Sequence, residues 1–251
     1  MRCERYAIWW VPQRDSQLAL FGQAWTGWCP ERGSLDRGGE LGRFARTHAN
    51  LPLALSLGGL HAPFGTSFRL ADDRSPWALE RAVAELSARM PAISLPALRL
   101  ENCNNRVRLT FGREPALAHL VDEIAATARP LRMIVCHPRM DEEAAENGGK
   151  GLDAESPRAA RFGIWLTGTT SAADQIIAEL QPVLAPILAE PVTISDLSLV
   201  CDPGGNRPWR VLERFELQGG VETSRRTMPS GMDCFGPSLF TPLVALAGAF
   251  A

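Results

Sequence analysis

The sequence predicts an α+β fold built from a duplicated unit. Three observations carry this. Residues 68–111 read as strand, helix, strand, turn, strand. The same order returns over residues 162–217, offset by about a hundred positions. The composition, 45% hydrophobic and 22% charged over 251 residues, is that of a folded globular chain and excludes a disordered, collagen-like or coiled-coil one.

The elements follow in chain order. Arg5 to Val11 is rich in β-branched and aromatic residues and stops at Pro12, so it predicts a strand. Ser16 to Trp28 predicts a helix carrying Leu18, Leu20, Phe21 and Trp25. Pro30 to Arg43 is polar, rich in Gly and Arg, and predicts a surface loop. Residues 51–60 are apolar and end in Gly58-Gly59. Phe68 to Leu70 then closes a strand. Ser75 is a helix N-cap followed by Pro76 at the first helical position. Leu79, Val83, Leu86 and Met90 recur on one helical face behind it. Pro96 to Leu100 predicts a strand, Asn102 to Asn105 a turn, and Arg106 to Phe111 its partner strand. Val107, Leu109 and Phe111 alternate there with Arg106, Arg108 and Thr110, which predicts one buried and one wet face.

In the second copy, Phe162 to Thr167 predicts a strand, and Ser171 with Asp174 fits a capping box. Ile176, Ile177, Leu180, Leu184, Ile187 and Leu188 form a helical face that Pro182 and Pro186 should kink or end. Val192 to Cys201, a turn from Asp202 to Asn206, and Trp209 to Leu217 complete the unit. A helix over Glu114 to Ala128 and an acidic stretch from Met140 to Pro157, containing Asn147 to Gly151, connect the copies. The reading is one bilobal domain: an N-terminal lobe over 1–130, a connecting segment over 131–158, a second repeat lobe over 159–218 and a C-terminal tail over 219–251.

Charge and motifs exclude several functions. A net charge of -2 argues against general nucleic-acid binding through a basic face. No apolar run reaches the ~18–20 residues of a spanning helix. The six cysteines (Cys3, Cys29, Cys103, Cys136, Cys201, Cys234) form no CxxC pair, and the start through Arg5 into Tyr6 to Val11 does not resemble a signal peptide. Reduced thiols and a cytoplasmic location are expected. Cys136-His137 has no second Cys/His pair at zinc spacing, so neither a metal site nor a cofactor is expected. P-loop, dinucleotide-binding and nucleophile-elbow patterns are absent, and Gly148 to Gly151 lacks the Ser/Thr of a phosphate cradle. Of the four histidines, His48 lies in a polar segment and His119 on a predicted helix. His61, at the end of an apolar segment, is the candidate general acid or base, against the alternative of a satisfied structural histidine.

Several stretches together resemble a bacterial family of the two-histidine phosphoesterase superfamily, one associated with phosphonate metabolism. They are Leu60-His61-Ala62, Phe68 to Asp72, Pro96 to Leu100, Leu166-Thr167-Gly168, Leu184 to Leu188 and Trp209 to Phe215. The resemblance implies two α+β lobes whose antiparallel sheets face a central cleft, with helices outside. It also implies a metal-independent site of two His-x-Thr motifs. One imidazole activates water, the other protonates the leaving oxygen of a phosphodiester, often a 2′,3′-cyclic one, and the threonines hold phosphate oxygens.

The motifs fall on His61-Ala62-Pro63 and Gly163-Ile164-Trp165. Only His61 is kept. Pro63 and Trp165 replace the threonines and Gly163 replaces the second histidine. Losing one acid–base partner costs about 10²–10⁴-fold in rate. The expectation is therefore a degenerate phosphoesterase-like protein without phosphodiesterase activity. It would bind a small molecule or a protein partner through the cleft, or through the apolar residues 235–251. Pro63, Thr66, Arg69, Gly163, Trp165 and Thr167 are the cleft candidates beside His61. Trp165 either suits a flat or apolar ligand or fills the space of the missing histidine. The alternatives are an active cyclic phosphodiester or phosphonate-ester hydrolase with a site rearranged around His61, and a subunit of a larger assembly that uses the tail.

Overall fold

The computed structural model describes residues 3–33, 39–51, 57–112, 114–133 and 162–219. The acidic connecting stretch, Cys136-His137, Cys234 and the apolar tail lie outside the described residues.

Strand β1 (Arg5–Trp10) leads to helix α1 (Gln17–Thr26), where the Ser16 hydroxyl accepts from the Ala19 N–H at 3.1 Å. Helix α2 (Glu40–His48) begins inside the stretch read as a loop. Its charged residues hide a short apolar face. Ala45 is fully buried, and Phe44 packs on Trp25 with ring centroids 6.2 Å apart. Strands β2 (Ala62–Pro63) and β3 (Arg69–Leu70) follow. Helix α3 (Pro76–Arg89) has the expected Ser75 cap and Pro start, and it buries Leu79, Val83 and Leu86.

The strand read over residues 96–100 starts only at Arg99, as β5 (Arg99–Asn102), and a separate short strand, β4 (Ile93–Leu95), precedes it. Strand β6 (Val107–Thr110), helix α4 (Pro115–Ala128) and strand β7 (Arg132–Met133) come next. The second copy holds β8 (Gly163–Trp165), α5 (Ala173–Leu188), β9 (Val192–Ile194), β10 (Asp196–Asp202) and β11 (Arg210–Glu216). Helix α5 departs from expectation twice. It has no side-chain cap from Ser171, and it runs through Pro182 and Pro186. Both prolines lie on the exposed side, where solvent takes the freed carbonyls, while Ile176, Leu180 and Leu184 hold the other side in the core.

The sheets interlock the two copies. Strands β5 and β6 of the first copy form a hairpin that takes β8 of the second as its third strand. The β10–β11 hairpin of the second copy takes β1 and then β2, in the order β11-β10-β1-β2. The equivalent strands β4 and β9 pair with each other, Ser94 opposite Thr193. All pairs are antiparallel. One hydrophobic cluster runs through both copies, joining Leu86 of α3, Leu120 of α4, Leu109 of β6, Ile164 of β8, Leu180 of α5 and Leu199 of β10.

The reading of all cysteines as reduced is corrected for one pair. Cys3 and Cys201 form a disulfide with Cα atoms 5.6 Å apart, across a sequence separation of 198. Strand pairing brings them together, since Arg5 and Tyr6 of β1 lie opposite Asp202 and Cys201. Arg5 reinforces this edge through Asp202, its Nε donating at 2.9 Å. Cys29 and Cys103 are free thiols. Among the described residues, no helix is long and apolar enough to cross a membrane.

Candidate functional site

The two motif strands lie side by side and alternate in phase. On β2 and just after it, Ala62 and Phe64 point into the core, 0% and 3% exposed. Around β8, Phe162 and Ile164 do the same, and the Phe64 and Phe162 rings stack at 4.9 Å. A strand sends successive side chains to opposite faces. His61 and Pro63 therefore project away from the shared core, and so do Gly163 and Trp165.

His61 is held tightly. Its ring stacks on Trp9 with centroids 3.6 Å apart and planes inclined by 15°. Its Nδ1 lies 2.9 Å from the Gly59 carbonyl. A carbonyl only accepts, so Nδ1 carries the proton and Nε2 the lone pair. Burial pushes the imidazole from 6.5 down to about 4, while hydrogen bonds to the Gly59 and Gly58 backbone act the other way. Gly58 closes the edge of the ring. A Cβ there would come within 2.8 Å of His61 Cε1 and 3.3 Å of the Trp9 ring. Gly59, at φ +66°, adopts a conformation that favours glycine and passes against Pro30 and the Trp28 carbonyl.

This face of the four-stranded sheet is covered by the chain itself. Trp9 and Trp209 meet at 4.8 Å and are 5% and 7% exposed. The Trp209 N–H donates to the Leu57 carbonyl at 2.9 Å, and the Val211 N–H donates to Pro30 at 3.1 Å. Trp28 Nε1 donates to the Trp209 carbonyl at 3.0 Å. Arg214 clamps the covering segment. It pairs with Glu31 and with Asp196 at 2.7 Å, and it donates to the Val11 and Pro12 carbonyls. Burial raises the Asp196 carboxyl, and Arg214 opposes that rise.

Position 163 shows the opposite arrangement. A Cβ on Gly163 would sit 2.8 Å from the Leu109 carbonyl oxygen, closer than real contacts allow. Strand β8 approaches β6 so closely that no histidine fits without a backbone shift. Trp165 stands opposite Arg108 in the register. The Arg106 and Arg108 guanidinium carbons lie 4.1 Å and 5.6 Å from its ring centroid. The face of β6 expected to be wet is thus covered in part by an aromatic ring one copy away.

The remaining candidates scatter. Pro63 is half-buried opposite Trp9, Thr66 is exposed beyond β2, and Arg69 is exposed on β3 opposite Met133. Thr167 is fully buried, and its hydroxyl accepts from the Val107 N–H at 2.8 Å, which closes the β6–β8 ladder. His119 is exposed on α4, and His48 on α2 packs on Phe44. Among the described residues, no three His, Cys, Asp or Glu side chains cluster as metal ligands. Trp9, Trp209, Arg106 and Arg108 are the site residues that motif reading missed. The signal for the arginines was present as the alternation of Arg106 and Arg108 along one strand.

The family comparison matches residues 59–210 to the family described as "Protein of unknown function (DUF1045)". The chain belongs to that family. No curated protein matches it. Among solved structures, it is similar to E. coli LigT, solved with NADP+, at 12% identity and a TM-score of 0.45 over 86% of this chain and 99% of that one. It is similar to TT0787 of Thermus thermophilus at 16% identity and a TM-score of 0.43, again over 86% and 99%. A structure described as a phosphoesterase matches at 14% identity and a TM-score of 0.42, with the same coverage.

Proposed function

We propose that this DUF1045 chain is a degenerate two-histidine phosphoesterase-like protein that binds a small molecule or a protein partner and does not hydrolyse phosphodiesters. The observation that carries the reading is the state of the two histidine positions. At 61 the imidazole is sunk and stripped of basicity; at 163 the backbone leaves no room for a side chain. A group with a pKa of about 4 is protonated in only about one molecule in a thousand at neutral pH, so His61 is a poor general acid. Water activation and leaving-group protonation need two groups flanking one phosphorus, and Gly163 stands where the resemblance puts the second imidazole. A place in phosphonate metabolism and a bacterial origin belong to the same reading, carried over from the resemblance.

The test is turnover of 2′,3′-cyclic nucleotides by the purified chain and by His61→Ala. The reading expects no turnover that depends on His61. Hydrolysis by the wild type that vanishes in the variant would establish the rival, a hydrolase rearranged around His61.

A further inference from the structure

We propose that Arg106, Arg108 and Trp165 form a binding site for a small oxyanion, a carboxylate or a phosphate monoester, on the outer face of the β5-β6-β8 sheet. The register builds the site. Glu101, Arg108 and Trp165 form one cross-strand row, and Arg99, Thr110 and Gly163 form the next. Arg106 precedes Arg108 by two residues and shares its face, about 7 Å away along the strand. Among the described residues of this face, Arg99, Arg106 and Arg108 stand with the carboxylate of Glu101. Its contact with Arg108 is a loose 3.4 Å, and its side chain is 44% exposed. Like charges at this spacing repel unless an anion joins them.

Arg108 also carries an unmet need. Its Nε is buried and has no hydrogen-bond partner among the described residues. A buried donor left unpaired is costly, and a planar oxyanion supplies the acceptor. The Trp165 ring holds both guanidinium planes by cation–π contact, which reduces the ordering cost of binding. Recognition by an arginine fork replaces recognition by threonine hydroxyls, so the site is a new one on the old scaffold. The inference rests on the reading of the chain as a binder, but the two fail separately. His61-dependent hydrolysis would end that reading and leave Arg108-dependent anion binding measurable.

The experiment is calorimetric titration of the full chain with benzoate and with phenyl phosphate at constant ionic strength. Saturable binding is expected for at least one probe, and the probe that binds assigns the anion class. Arg108→Gln should weaken it by about tenfold or more. Arg81→Gln, an exposed arginine on α3, should not change it. Glu101→Gln should tighten it, because it frees the fork from its competitor. This variant keeps the arginines and decides the matter if Arg108→Gln does not fold. No saturation with either probe, equal losses in Arg108→Gln and Arg81→Gln, or no gain in Glu101→Gln would overturn the proposal.

Discussion

Strands β2 and β8, on which the two motif positions fall, sit in opposite surroundings. Just ahead of β2, His61 is enclosed by its neighbours. Trp9 lies under the ring, Gly58 over its edge, and the Gly59 carbonyl fixes its tautomer. At β8 the motif positions are Gly163 and Trp165, and the strand lies close against β6. Its outer face now carries an indole gripped by two guanidiniums. The first position holds an imidazole in a buried setting that lowers its pKa. The second holds a glycine and an indole set against two arginines. Retention of a catalytic residue type therefore says little without the dielectric and the hydrogen bonds around it.

Restoring the missing histidine is the strongest way to break this contrast. Gly163→His should destabilise the fold by about 3 kcal/mol, the upper part of the overpacking range, because the Leu109 carbonyl is backbone and cannot swing aside. Urea unfolding checks this. A stable variant that gains phosphodiesterase activity would mean β8 is only a vacant catalytic position.

Removing the tie on the other sheet comes next. Cys3→Ser opens the Cys3–Cys201 link and should cost about 2–4 kcal/mol. Hydrogen exchange should show the loss of protection concentrated in β1 and β10, with β5 and β6 little changed. Equal loosening of both sheets would argue against the independence of the closed face.

The pH dependence of stability sharpens the His61 side. Its folded pKa of about 4 lies below the ordinary 6.5, so the unfolded chain binds the proton more readily. The stabilising contribution is complete above about pH 6.5 and is lost as pH falls toward 4. After discounting for partial exposure of the ring, the loss is on the order of 1–2 kcal/mol. His61→Phe should flatten the unfolding curve between those limits relative to wild type. An unchanged slope would remove His61 as its source.

Local chemistry made part of this legible in the sequence. The Ser75 cap, Pro76 and the spacing of Leu79, Val83 and Leu86 specify α3 within a few turns of chain, and the structure follows them. The duplicated order was legible for the same reason. The exchange of strands between copies was not, because β2 and β8 are two and three residues long and their partners lie far away in sequence. The disulfide depends on that exchange-built sheet rather than on spacing. Proline arithmetic misled at α5, where burial of the opposite face outweighs Pro182 and Pro186. At the site, the substitutions could be read from the chain, but their meaning could not. That Gly163 admits no Cβ, and that Arg106 and Arg108 meet Trp165, are facts of strand register.

The protonation state of His61 separates a catalytic from a structural imidazole, and NMR titration of the labelled ring measures it directly. The expected result is an imidazole protonated on Nδ1, neutral through the physiological range, titrating at about 4. An imidazole that titrates at or above its ordinary 6.5 would be open to solvent or paired with an acid, and would contradict the claim that this position has lost its acid–base role.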